Sequence, residues 1–437
     1  MEVLNESALL NVSQNHATRK DFLSIIKAGI ASVDAYTLVR KILNYDGAKV
    51  HVGNSIWHRK GRVFVLGAGK VAHHMASACV DEIEDCTGVV LCPVSGSHGN
   101  VKFLRCEHPL AGENNLKNTE TLIDILRSAS QDDLVLFLIS GGASAMLAAP
   151  LDGLSIDEKN AIVRKLMLSG ADIKELNTVR KHLSRIKGGK AALLTQARIL
   201  GLVLSDVPEG SVSDIGSGPT APDWTKKEDA IDIMKRYGIW ENLKGNTKKI
   251  IESAEETPKF DNPCFRTVRN YIIGDCTKMA QACAQRAEEL GYEVHILTTA
   301  LDAEARESGK LFAEILNQTY IKSQRRLFVA AGETTVNVRG NGRGGRNLEV
   351  VMGFLKKLNV KDGVILAFAT DGKDGTTPWA GAFGDANTIA CANKNALSIN
   401  DFLSANNSME FFEKTGDFIT VNDTRTNVGD LIIFGYR

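Results

Sequence analysis

No two of the eight cysteines in this 437-residue sequence are spaced C-x-x-C. Such scatter in a long chain points to reduced, mostly buried thiols rather than a disulfide framework. The nine histidines form no H-E-x-x-H motif and no other dense metal-ligand spacing. Charge of one sign is also lacking, because 52 Lys+Arg balance 52 Asp+Glu to a net +0. No broad positive field can hold nucleic acid or an anionic membrane, so any anion site must be local. The longest apolar runs, such as 134–139, are strand-sized and fall far short of a membrane span. The first residues, MEVLNESALL, lack a basic region followed by an apolar core. The expectation is a cytoplasmic protein with small-molecule partners, no nucleic acid, no membrane, and a monomeric or homodimeric state.

What is present is globular: 43% hydrophobic and 24% charged residues, in a chain long enough for two or three domains. Residues 1–60 read as helical. From residue 61, short β-branched runs alternate with amphipathic stretches. RVFVLGAG (62–69), GVVLCPV (88–94), DLVLFLISGG (133–142) and ARILGLVLSDV (197–207) read as buried strands. Ser155-Ile156-Asp157-Glu158 is a capping box ahead of the apolar stripe Ile162, Val163, Leu166, Met167. Continuous apolar strands separated by helices predict an α/β fold with a doubly wound parallel sheet, whose ligands bind at the carboxyl ends of the strands. The polar stretch 241–264, with two prolines, reads as a linker. A second α/β series then follows at 270–275, 293–299, 326–332 and 363–371, and 430–437 reads as a closing strand.

The candidate chemistry lies just after these strands. Gly67-Ala68-Gly69-Lys70 allows close backbone approach to an anion at a helix start. It also fits a loose dinucleotide fingerprint, but the expected acidic partner is missing from Leu91-Cys92-Pro93-Val94-Ser95. Ser140-Gly141-Gly142-Ala143-Ser144 offers two glycines and two hydroxyls as a nest for phosphate oxygens. Arg180, Lys181, Arg185, Lys187 and Lys190 gather on and after a helix, where cations mostly complement the dipole and face water. Asp206 and Asp214 follow the fourth strand and suit magnesium binding or proton abstraction, or simple turn chemistry. Glu333 ends a later strand. Arg346 closes a glycine-rich loop with Arg339 and Arg343, a fork for a multiply charged anion. Asp371 and Asp374 suit a metal without the spacing of an EF-hand.

Seven motifs, taken in order, give the chain a family likeness. GAGK (67–70), SGGASAM (140–146), LNTVRKHLSRIKGGK (176–190), SDVPEG…DIGSGPT (205–220), GETTV (332–336), GRGGRN (342–347) and ATDGKDG (369–375) make it resemble the glycerate 2-kinases with a MOFRL C-terminal domain. One departure is Ala143, where that family usually has a third glycine. The resemblance implies a Rossmann-like glycerate kinase domain over residues 1–255 and a smaller α/β MOFRL domain over 256–437. It places the active site in the cleft between them and allows a C-terminal segment to pack back on the first domain. It further implies ATP- and Mg²⁺-dependent phosphorylation of D-glycerate at the 2-hydroxyl. Lys70 and Arg346 match the family's principal cationic positions, and Glu333 its acidic G-E-T-V position. Asp206 is the first choice of base. Gly67, Gly69, residues 140–144, Arg180, Lys187 and Glu333 are expected to bind substrate or phosphate, and Asp214, Asp371 and Asp374 the metal. The competing expectations are an NAD(P)-dependent hydroxypyruvate reductase and a nucleotide-binding module without catalysis.

Overall fold

The computed structural model describes residues 1–207 and 210–437, and the chain divides into two compact units. One comprises Ala35–Ser205 and Gly210–Ile273; the other comprises Met1–Asp34, a short stretch beginning at Asp206, and Gly274–Arg437.

The first unit opens with a helix, Ala35–Ile42, and a small antiparallel sheet of β1 (Leu43–Tyr45), β2 (Lys49–Val52) and β3 (Ser55–His58). Residues 43–58 are therefore strand, against the helical expectation. Burial alternates there through Val50, Val52 and Trp57 with the period of two that a half-buried strand requires. The main sheet contains β4 (Val63–Ala68), β5 (Thr87–Cys92), β6 (Gly96–His98), β7 (Asn100–Arg105), β8 (Leu134–Ile139), β9 (Arg198–Leu204) and β10 (Val268–Gly274). Its order is β10-β9-β8-β4-β5-β7-β6. β4 lies parallel to both β5 and β8, and the short β6 runs antiparallel to β7 at one edge. β4 and β8 are buried along their whole length, which explains their unbroken apolar sequence. From β4 the chain works outward through β5 and β7; from β8 it works outward the other way. The reversal between β4 and β8 is a topological switch point.

Two expectations about the domain boundary change. β10 belongs to this sheet instead of opening a second series, and the division falls at 273/274 rather than 255/256. Gly201 on β9 has no side chain where a Cβ would lie 2.0 Å from Asn270 Oδ1. Asn270 in turn exchanges two hydrogen bonds with Thr220, at 2.8 and 3.1 Å. The stretch read as a linker contains the helix Gly245–Ser253, whose Ile251 is buried with Leu166, Val179 and Met234. Most of its polar residues form the solvent face of that helix, while Thr247 is buried and donates to Glu158.

The second unit holds β11 (Glu293–Leu301), β12 (Arg326–Gly332), β13 (Val364–Ala369), β14 (Gly381–Asp385), β15 (Phe418–Ile419) and β16 (Asp430–Tyr436), in the order β11-β12-β16-β13-β14-β15. Only β11 and β12 are parallel. β16 runs between β12 and β13, antiparallel to both, and is buried throughout. The last strand is thus central to its own sheet. Residues 1–34 also group with this unit. The helix His16–Ser32 brings in Arg19, fully buried and paired with Asp385 at 2.9 Å and Asp417 at 2.7 Å. Gly29 on the same helix permits close contact with Cys283, whose sulfur would lie 2.4 Å from an added Cβ.

Candidate functional site

In the first unit the turns that follow β4 and β8 interlock at the switch point. Ser140 N donates to Ala68 O at 3.1 Å, Lys70 N to Gly141 O at 2.8 Å, and Val71 N to Ser140 Oγ at 3.3 Å. Gly69 holds φ +139°, and a Cβ there would lie 2.1 Å from Ser140 Oγ. Gly67 makes the matching approach one step earlier, against the Leu138 carbonyl. Only glycine fits either position. Gly142 is left-handed at φ +84°, and an added Cβ would meet Lys70 Cγ and His108 Cδ2, each at 3.2 Å. The half-buried Lys70 side chain therefore passes over Gly142 beside His108. His108 is a neighbour that the sequence did not single out.

Beyond that turn a polar chain ties three further motifs together. Ser144 Oγ meets Ser217 Oγ at 2.6 Å, and Ser217 donates to Asn177 Oδ1 at 3.1 Å. Asn177 Nδ2 donates to the Asp214 carbonyl at 3.2 Å. The Asp214 carboxylate caps its own turn, accepting from Ser211 N at 3.0 Å and Ser211 Oγ at 2.8 Å. Gly188 N and Gly189 N donate to Ser217 O and Gly218 O. Ala143 is fully buried in its loop. Its methyl faces Gly216, where a Cβ would stand 3.1 Å away, so one glycine compensates for the loss of another.

The basic run is not a solvated face. Lys181, Lys187 and Lys190 are 4%, 0% and 8% exposed. Lys181 pairs with Asp223 at 3.1 Å, and Lys190 donates to Ser184 O at 2.7 Å. Arg185 pairs with Glu120 and Asp152. Lys187 Nζ donates to the Ser144 carbonyl. Burial, then the charges of Lys159 and Arg180, hold the Lys187 ammonium well below its ordinary pKa. Burial and Arg180 likewise lower Lys159 to about 8, and burial lowers Arg180. Lys159 escaped the sequence reading, yet its signal was there: it sits on the buried stripe Ile156, Ile162, Val163, Leu166 of the helix Ile156–Leu168.

In the second unit, Arg346 begins the helix Arg346–Leu355. Its guanidinium makes a two-pronged contact with Asp430 on β16, through Nε and through Nη2 at 3.0 Å, and pairs with Glu333 at 3.0 Å. Burial disfavours the charged guanidinium, but Asp430 outweighs that and its pKa is raised. Asp430 is fully buried and was not singled out in the sequence. Asp374, expected among the metal ligands, is engaged in a helix cap. It is 1% exposed, and its carboxylate accepts from Asn347 N, Asn347 Nδ2 and Leu348 N at 3.0–3.2 Å, capping the Arg346 helix. Burial, then Asp430, raises its pKa to about 6. Gly345 leaves it room, since a Cβ there would lie 2.2 Å from Asp374 Cγ. Asp371 is half-buried and accepts from Lys373 N at 3.2 Å. Asp206 follows β9, half-buried; residues 208 and 209 of its motif lie outside the described residues.

Known proteins match both units. A model described as a domain of unknown function (DUF4147) matches residues 21–252, and one described as the MOFRL family matches residues 326–430. A glycerate 2-kinase of Pyrococcus horikoshii is 33% identical, covering 94% of this chain and 96% of its own length. A D-glycerate 2-kinase of Thermotoga maritima is 37% identical, covering 85% and 90%. A putative hydroxypyruvate reductase of Agrobacterium vitis is 34% identical, covering 91% and 94%. The crystal structure of a glycerate kinase from Thermotoga maritima superposes with a TM-score of 0.83 at 32% identity, over 96% of this chain and 100% of that one.

Proposed function

Because this chain belongs to the MOFRL-containing family of glycerate 2-kinases, we propose that it transfers the γ-phosphoryl group of ATP to the 2-hydroxyl of D-glycerate, giving 2-phosphoglycerate and ADP. The observation that carries this reading is Lys70, set in a glycine turn at the β4/β8 switch point and passing over Gly142. In open α/β sheets ligands bind at that crevice, outside the carboxyl ends of the strands.

Phosphoryl transfer demands positioning and neutralisation of charge on in-line oxygens, with no covalent nucleophile. In this reading Lys70 supplies an ammonium to the transferring group, and Arg346, oriented by Asp430 and Glu333, supplies a fixed guanidinium. Ser140, Gly141, Gly142, Ala143 and Ser144 cradle phosphate oxygens together with Arg180 and Lys187. Asp206 takes the proton released by the 2-hydroxyl. Hard carboxylate oxygens suit magnesium, and of the three proposed ligands Asp214 and Asp371 are half-buried, whereas Asp374 is 1% exposed and already accepts three N–H donors. When bound, Mg²⁺ supplies neutralisation of charge on the phosphate oxygens. Among the described residues no single helix is long and apolar enough to cross a membrane, and we place the reaction in the cytoplasm.

Phosphorus NMR of the product from ATP, Mg²⁺ and D-glycerate tests the assignment. A 2-phosphate is expected; a 3-phosphate overturns the regiochemistry, and NADH oxidation by hydroxypyruvate without phosphate transfer overturns the class. Lys70→Met and Arg346→Met are each expected to lower kcat by roughly 10³–10⁵.

A further inference from the structure

Lys159, Arg180 and Lys187 of the first unit lie near one another, and among the described residues none has a counter-charge. Lys187 is fully buried and Lys159 is 4% exposed. Lys187 donates to the Ser144 carbonyl, and Lys159, Lys187 and Arg180 lie near enough for like charge to disfavour the charged form of both lysines. Among the described residues no carboxylate forms an ion pair with any of the three. The same stretch of chain does match cations elsewhere, Lys181 with Asp223 and Arg185 with Glu120 and Asp152. Burying positive charges without a partner is strongly unfavourable, and apolar side chains of similar volume are commonly more stable in such places. Lys159 occupies a helix stripe that an aliphatic residue would fill at lower cost. The Ser144 carbonyl accounts for one donor of Lys187 but leaves the three charges unbalanced, whereas a bound polyanion balances them.

We propose that Lys159, Arg180 and Lys187 form a subsite for the non-transferred phosphates of the nucleotide. This deepens the kinase reading and rests on it. Lys187 donates to the Ser144 carbonyl, two residues beyond the glycine that Lys70 crosses. The trio therefore adjoins the turn that the transferring group is assigned to. A single carboxylate would neutralise one of three cations. A diphosphate brings enough charge for all of them, with oxygens spaced for a guanidinium fork and two ammonium groups.

A second consequence concerns protons. Among the charged groups of the described residues, Lys187 without ligand faces only the cations Lys159 and Arg180, and Lys159 faces Arg180 and Lys187. A polyanion among them favours the charged form of each lysine, so binding draws protons from solution.

Calorimetric titration of the full chain with ADP in Mg²⁺, run near pH 8 in two buffers of different ionisation enthalpy, reads both affinity and proton uptake. The wild type is expected to take up protons. Lys159→Met is expected to lose roughly 10- to 100-fold in ADP affinity, take up fewer protons, keep its D-glycerate affinity, and melt no lower than wild type without ligand. Lys187→Met should lose ADP affinity similarly. Should it fail to fold through the orphaned Ser144 carbonyl, Lys159→Met decides alone. Unchanged ADP affinity and proton count overturn the subsite. Loss confined to D-glycerate overturns the nucleotide assignment. ADP binding that depends on the trio, in a protein that makes no 2-phosphoglycerate, leaves the subsite standing and overturns the proposed acceptor.

Discussion

Asp430→Asn removes the charge that holds Arg346 while keeping the side chain's shape at the start of the central strand β16. The wild-type contact is two-pronged, Asp430 is fully buried, and the Arg346 side chain is 28% exposed. After the substitution the guanidinium retains only Glu333, whose side chain is half exposed. Removing one partner of a buried pair costs about 3–5 kcal/mol, and partial solvent access to Arg346 places the effect near ~3 kcal/mol. For a unit of this size that corresponds to a melting shift of roughly 6–12 °C. Activity should fall as well, because the asparagine amide turns a donor toward a donor and the guanidinium loses its orientation. Differential scanning calorimetry and steady-state kinetics on the same preparation read both effects. Adding Arg346→Met should recover part of the lost stability and none of the activity, since the stranded charge disappears with the residue. A variant that melts within a degree or two of wild type and keeps its kcat would refute the reasoning.

Gly69→Ala should destabilise by about 2–4 kcal/mol, since backbone strain and the clash with Ser140 both oppose the methyl; a wild-type urea midpoint would contradict the interlocked turns. Asp374 gives a pH signature. Its pKa rises from 3.8 unfolded to about 6 in the fold, so the native state binds this proton more tightly than the unfolded chain. The stabilisation is full below pH 3.8 and is lost as pH rises through about 6, to the extent of ~3 kcal/mol. Asp374→Asn should flatten that part of the stability profile in urea unfolding between pH 4 and 7, and an unchanged profile would show that Asp374 is not the group responsible.

Much of the first sheet was legible because β4 and β8 are buried on both faces, which leaves continuous apolar runs between glycine turns. The interlock of Lys70 and Gly142 was legible only as two separate motifs, since a strand order is not written in either. The misread segments share a different cause. Residues 241–264 look like a linker because their helix shows water its polar face and buries little more than Ile251. β10 looks like the start of a domain because the sequence is silent about which sheet edge a strand joins. Asp430 went unnoticed because a carboxylate opening an apolar strand reads as a turn residue until its partner, 84 positions earlier in the chain, is known. Asp374 was read as a metal ligand for the converse reason: two carboxylates three apart suggest a cation, and only the fold shows three N–H donors already satisfying one of them.

The two units solve the problem of holding a buried cation in opposite ways, and the difference bears on how each is used. Arg346 is neutralised in advance by Asp430 and Glu333, so its charge and orientation persist whether or not a ligand is present. A donor fixed in this way requires no reorganisation when charge develops in a transition state, which is where electrostatic preorganisation is most effective. Among the described residues Lys159, Arg180 and Lys187 have no such partner, and burial weakens the hold of each on its proton. A polyanion reaching them relieves repulsion already present in the fold, so the gain falls on the ground-state complex. On this argument removing Arg346 should act chiefly on kcat and removing Lys159 chiefly on the Michaelis constant for ATP. The same asymmetry makes nucleotide the stabilising ligand. Saturating ADP should raise the melting temperature of the first unit in the wild type and raise it much less in Lys159→Met.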